Sequence, residues 1–329
     1  RLSNPPLNPL SHGVRAGMIE GLSRAENDPA VTSIVITGNG NAFSAGADIK
    51  EMSDVHSILR HPSLTAVVAA IENCSIPVSA AINGVALGGG CEVALACHFR
   101  VASPQASLGV PEVLIGLLPG AGGTQRLPRL VGAKMALSMT TNGKMVSAHK
   151  ALEAGLVDHM IASVGADLVE AAALFAQQRL SEKGGNLDAF RCRNMPLKDP
   201  PLVVLKLCDN MGMEVGPPVR GKEPVWACVE ALRAAALQGG PGGCFDLGIA
   251  QEGKLFSLLI QSQQSRARRH LFLAERSAYR VPMVVGTGGV PVVETVGVIG
   301  AGTMGGGIAI AHLLAGYRVT LIDAKEVGG

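Results

Sequence analysis

Asn83-Gly84-Val85-Ala86-Leu87-Gly88-Gly89-Gly90-Cys91-Glu92 decides the reading of this chain. A short apolar run ends in three consecutive glycines, and a carboxylate follows within what should be the first turn of a helix. Glycines at such a turn let backbone N–H groups approach a ligand closely. Working outward, Glu112 stands twenty residues further on, in Leu108-Gly109-Val110-Pro111-Glu112-Val113. A second glycine-rich stretch follows it, Pro119-Gly120-Ala121-Gly122-Gly123-Thr124-Gln125-Arg126. Upstream, the β-branched run at 31–37 leads into Asn41-Ala42-Phe43-Ser44-Ala45-Gly46-Ala47-Asp48.

The residues around these motifs predict strands at 31–37, 77–82 and 99–102, with helices over 63–73, 89–97, 132–141, 147–154 and 167–180. Ser147 reads as a helix N-cap, and Asp48 as a structural cap for a helix that follows it. Strand-turn-helix repetition of this kind implies stacked βα units in an α/β protein. Residues 184–220, rich in Gly, Pro, Asn and Met, read as a long connector. Helical pattern returns at 224–237 and over 245–279, and 281–295 reads as a linker. The run Arg266, Arg268, Arg269, His270 reads as a solvated helix face, with contact to ligand phosphates as the sharper alternative.

Composition excludes several function classes. Hydrophobic residues are 47% of the 329 and aromatics only 3%, so the core must be built from Ala, Val, Leu and Ile. A net charge of +2 and the lack of interleaved aromatics argue against a nucleic-acid binder. No window has the run of apolar residues that a membrane span needs. Seven scattered cysteines without a CxxC pair read as free thiols in a reducing compartment. Cys97 and His98 read as packed helix-end residues, and no metal site is expected. The chain begins at Arg1 without a Met, so segments beyond both ends are expected.

Taken alone, a Glu behind a glycine turn is a helix N-terminal charge. Two of them, both held by glycine-rich backbone, suit addition of water across an activated double bond: one carboxyl deprotonates the water while the other protonates carbon. Together the three segments around Ala47, Glu92 and Glu112 resemble the crotonase (enoyl-CoA hydratase/isomerase) superfamily over residues 1–180. That resemblance implies a stacked ββα spiral acting on an acyl-CoA thioester. It implies an oxyanion hole from the backbone N–H groups of Ala47 and Gly89, with Glu92 and Glu112 as the acid/base pair. Glu112 would protonate the α-carbon and Glu92 would hold the water. It also implies shift of a 3-enoyl double bond to the 2-position. An isomerase-dominant enzyme and an acyl-CoA-binding chain without turnover are the alternatives.

A second site follows. Val296-Gly297-Val298-Ile299-Gly300-Ala301-Gly302-Thr303-Met304-Gly305 is a strand running into GxGxxG, then a helical stretch, a strand at 318–322 and Asp323. This order is the dinucleotide-binding fingerprint, with Gly300 for the tight turn, Gly302 for approach of the pyrophosphate, Gly305 for close packing and Asp323 for the ribose of NAD. Residues 1–180 are thus expected as the crotonase-like domain, 181–295 as connector and linker helices, and 296–329 as the start of a Rossmann domain. The arrangement resembles the bifunctional β-oxidation enzymes, in which a hydratase is fused to an L-3-hydroxyacyl-CoA dehydrogenase. That resemblance implies a peroxisomal location, with the bacterial cytoplasm and mitochondrial matrix as alternatives. It implies a monomer, with the hexamer of free hydratases as the other possibility.

Overall fold

The computed structural model describes residues 1–53, 60–162, 167–219, 221–237, 245–278 and 292–323. The first unit, 1–276, opens with helix α1 (His12–Glu26) and strands β1 (Ile34–Thr37) and β2 (Ala42–Ser44). Then come α2 (Leu64–Asn73), β3 (Val78–Ile82), β4 (Val85–Leu87), α3 (Gly89–Ala96), β5 (Phe99–Ala102), β6 (Ser107–Gly109), α4 (Gly123–Leu130) and α5 (Ala133–Asn142). They are followed by β7 (Val146–Ser147), α6 (Ala148–Ala154), β8 (His159–Met160) and α7 (Leu168–Glu182). Four helices complete the unit: α8 (Pro201–Val215), α9 (Glu223–Leu237), α10 (Phe245–Gln261) and α11 (Gln263–Ala278).

Successive strands alternate between two sheets. One has the order β1-β3-β5-β8 and the other β2-β4-β6-β7. All pairings are parallel except β6 with β7. Each turn of the chain lays one strand in each sheet and returns through a helix or short helical turn, which is the ββα spiral. Parallel strands covered on both faces should be apolar throughout. All five residues of β3 are buried, as are all eight of α3, the helix that follows the triple glycine.

Several expectations are adjusted. The first strand is shorter than 31–37 and starts at Ile34. The stretch 245–279 divides at Ser262 into α10 and α11, and the linker at 281–295 falls mostly outside the described residues. Ser147 stands at the start of α6 without a side-chain capping bond, whereas Ser63 and Asp167 do cap α2 and α7. The connector 184–220 contains a fifteen-residue helix, α8. Its Pro lies at the first helical position, where the missing N–H costs nothing. Its buried contacts are Val204 and Cys208, four residues apart. The basic run is not uniformly solvated: Arg269 is buried and donates to the Ile260 carbonyl and Ser265 Oγ, and Arg268 donates to the Val113 carbonyl.

Helices α9 and α10 pack on the loop after Glu112. Leu117 and Leu118 form one buried cluster with Ala227, Cys228, Ala231, Leu255, Leu259 and Ile260. The six described cysteines are free and buried.

The second unit contains β9 (Thr295–Ile299), α12 (Thr303–Leu314) and β10 (Arg318–Ile322). The two strands are parallel over five residues, Thr295 against Arg318 to Ile299 against Ile322. This is one βαβ crossover.

Candidate active site

Glu92 lies in the first turn of α3 and is 1% exposed. Its Oε1 accepts two backbone bonds, from Ala121 N–H at 2.7 Å and Gly123 N–H at 2.9 Å. Both donors belong to the glycine-rich turn that opens α4. Burial pushes the carboxyl up; the two N–H groups and the Arg126 guanidinium pull it back. Arg126 itself is held by a buried ion pair to Glu72 at 2.7 Å.

Glu112 sits in the 3-10 turn Pro111–Ile115 after β6. Its Oε2 is sealed from solvent and has no hydrogen-bond partner among the described residues. Burial raises its pKa well above the usual range, and the Glu92 charge raises it further. Val110 and Val113, its chain neighbours, are buried, whereas Leu114 is exposed. The carboxyl rests against the glycine turn before α3. Gly88 has φ +52°, and a β-carbon there would lie 2.7 Å from Glu112 Oε1. Glycine is therefore needed at 88 both for its backbone conformation and for the space the acid occupies.

Ala47 and Gly89 come from different turns of the spiral and meet. A β-carbon on Gly89 would lie 3.3 Å from the Ala47 nitrogen. Among the described residues neither N–H donates to another backbone group. Two adjacent donors without partners, on loops fixed by bonds such as Leu10 N–H to the Gly46 carbonyl at 2.8 Å, can receive one oxygen that gains negative charge. Asp48 accepts from Lys50 N–H and caps the short turn that follows. His98 Nδ1 accepts from Val78 N–H, and burial lowers its pKa to about 4.

A third carboxylate was not singled out from the sequence. Glu252, on α10, is 1% exposed. Its Oε1 accepts from Gly122 N–H at 2.6 Å, and its Oε2 from Thr124 N–H at 3.0 Å and the Thr124 hydroxyl at 2.5 Å. Burial, then the Glu92 charge, pushes it up to about 8. The available signal was the spacing Gly248-Glu252-Phe256, one face of one helix.

In the second unit, Gly300 has φ +103° and its N–H donates to the Ile322 carbonyl at 2.6 Å. Gly302 starts α12 without a side-chain cap. A β-carbon on Gly305 would lie 1.7 Å from the Gly300 carbonyl oxygen, so glycine there lets helix and strand close up. Asp323 is the first residue after β10. The open, uncapped N–H groups of the first helical turn fit a phosphate group.

The enoyl-CoA hydratase/isomerase family matches residues 1–191, and the NAD-binding domain of 3-hydroxyacyl-CoA dehydrogenase matches 295–327. The chain is 40% identical to the peroxisomal bifunctional enzyme of Danio rerio over 329 residues, covering 99% of this chain and 44% of that protein. Identity to the peroxisomal bifunctional enzyme of Homo sapiens is also 40%, over 334 residues, with the same coverage. The chain thus spans less than half the length of these relatives. Among solved structures, an enoyl-CoA hydratase/isomerase from Pseudoalteromonas atlantica shares the fold, with a TM-score of 0.56 at 24% identity, covering 82% of this chain and 89% of that one. With its first 191 residues matched and the ββα spiral in place, the chain belongs to the enoyl-CoA hydratase/isomerase family.

Proposed function

We propose that this chain hydrates trans-2-enoyl-CoA thioesters by syn addition, giving 3-hydroxyacyl-CoA. The observation that carries this reading is the unequal setting of two buried carboxyls. Burial raises both, but Glu92 is held by two N–H donors that favour its charged form, whereas Glu112, raised well above the usual range, has a sealed oxygen with no partner among the described residues and is favoured as the neutral acid. Glu92 takes a proton from water as the water oxygen bonds to C3. The π electrons of the double bond move toward the thioester, whose oxygen is held by the Ala47 and Gly89 N–H groups. C2 then takes the proton of Glu112. Exchange with solvent restores the pair after product leaves. Removing one oxyanion donor from such a site costs about 3–4 kcal/mol in the barrier.

In its ionised form Glu112 can also take a proton from C2 of a 3-enoyl thioester, giving a dienolate whose oxygen the Ala47 and Gly89 N–H groups hold, and return that proton to C4, which moves the double bond to the 2-position without water. Glu92→Gln should therefore spare isomerisation more than hydration. Reaction in D2O tests the hydration route: the reading expects one deuterium at C2 on the same face as the hydroxyl. Product with no deuterium at C2, or with it on the opposite face, contradicts the scheme.

The parent protein is read as a bifunctional enzyme of peroxisomal fatty-acid β-oxidation, on the names of its relatives. Gly300, Gly302 and Gly305 would seat the pyrophosphate of NAD and Asp323 its ribose, and bound NAD would accept hydride from the 3-hydroxy product. The chain is also read as a monomer, because α9 and α10 of the same chain cover Leu117 and Leu118. A mass in solution of one chain supports this, and a trimer or hexamer mass overturns it.

A further inference from the structure

The entry to helix α4 presents four consecutive N–H groups, that of Ala121 just before the N-cap Gly122 and three from the helix start, which have no intrahelical partners. They are shared between two carboxylates in strict alternation. Ala121 and Gly123 donate to Glu92, and Gly122 and Thr124 donate to Glu252. Glu92 reaches the turn from α3, inside the spiral. Glu252 reaches it from α10, some sixty residues beyond the segment matched by the family. The helix is seated closely for this purpose. A β-carbon on Gly248, one turn before Glu252, would lie 1.9 Å from Gln125 Oε1, and one on Gly120 would lie 2.5 Å from Phe256, one turn after it. The Gln125 amide in turn donates to the Ala231 carbonyl at 2.8 Å, which ties in α9.

We propose that Glu252 is a positioning residue for hydration: it clamps the 121–124 turn opposite Glu92, so the acid/base pair reaches working geometry only with α10 docked. The inference rests on the reading of Glu92 and Glu112 as that pair. Glu252 makes no claim on substrate. It grips the same turn whose other N–H groups hold Glu92, and once ionised its charge raises the pKa of Glu112. The ionisable groups facing it are Glu92 from α3, Glu112 from the turn after β6, Arg126 from α4 and Cys228 from α9. Arg126, the one cation among these groups, is also paired with Glu72. Burial and Glu92 place the Glu252 titration near 8, within the range of an ordinary assay.

The test is Glu252→Gln in the whole chain, with kcat and KM for a short trans-2-enoyl-CoA measured across pH. Gln keeps the size but turns an NH2 group toward the Thr124 N–H. The expected result is a kcat lowered roughly 10- to 100-fold with KM nearly unchanged, as a small misplacement of a reacting group produces. The alkaline limb should move down by about 0.5–1 pH unit, because loss of the third charge eases ionisation of Glu112. The acid limb, where Glu252 is already protonated, should stay in place. A variant that melts earlier but keeps kcat and both limbs overturns the proposal and leaves a structural clamp. If Glu252→Gln does not fold, Thr124→Val removes the hydroxyl donor and leaves the Gln125 amide its bond to the Ala231 carbonyl. It should lower kcat and move the alkaline limb in the same direction, and an unchanged profile overturns the proposal. Absence of hydration by the wild-type chain sinks the hydratase reading as well, whereas hydration with an indifferent Glu252 sinks this inference alone.

Discussion

At the residue scale the site depends on what glycine leaves out. Gly88→Ala would place a methyl 2.7 Å from Glu112 Oε1 and force φ near +52° on a residue with a β-carbon. That backbone conformation, with ψ −127°, costs a residue with a β-carbon roughly 1–3 kcal/mol. Displacement of the acid should lower kcat by about 100-fold, read in a steady-state assay beside a melting curve. A variant with lowered stability and full activity would show that Glu112 does not need that space. The turns around Ala47, Gly89, Glu92 and Glu112 were legible in the sequence because each is a local pattern of glycine beside a polar residue. Glu252 was not. It lies 128 residues from Thr124 along the chain, on a helix whose partner face local periodicity cannot name.

At the element scale, helices from distant parts of the chain are joined by buried charge. Arg126→Met would leave Glu72 buried with, among the described residues, only the Arg193 N–H, at 3.2 Å, as its remaining partner. Breaking a buried pair from one side costs about 3–5 kcal/mol, to be read from the urea midpoint. Glu252 gives a second stability prediction, whose sign follows from its raised pKa. Between about 4.5 and 8 the folded chain holds the proton that the unfolded chain releases, so this group's contribution falls as pH rises through that window. Relative to Glu252→Gln, the wild-type chain should therefore lose melting temperature as pH rises from 5 to 8. A difference that is flat with pH, or that grows the other way, would show that Glu252 is not held neutral by the fold. Helices with apolar periodicity, such as α2, α7 and α9, were readable from sequence. Helix α8 was hidden by its Pro, Gly and Met content, although a single stripe through Val204 and Cys208 docks it. The break at Ser262 has no sequence marker, since both flanks are strong helix formers.

At the scale of the whole molecule, the alternation of strands between two sheets brings three loops, separate in sequence, to one buried site. Periodicity locates the strands but not which sheet each joins; the resemblance carried by the glycine motifs implied that arrangement, and the pairing registers display it. The ββα spiral and the single βαβ crossover form separate units, and the chain spans 44% of its relatives' length. On the proposed scheme the first unit adds water to an enoyl thioester with Glu112 as the acid. The most direct measurement follows the enoyl-thioester absorbance of a short trans-2-enoyl-CoA with the wild-type chain and with Glu112→Gln. Absorbance should be lost with the wild type, and the rate should be lower by roughly 100- to 10,000-fold in the variant. No turnover by the folded wild-type chain, or full turnover by Glu112→Gln, would contradict it.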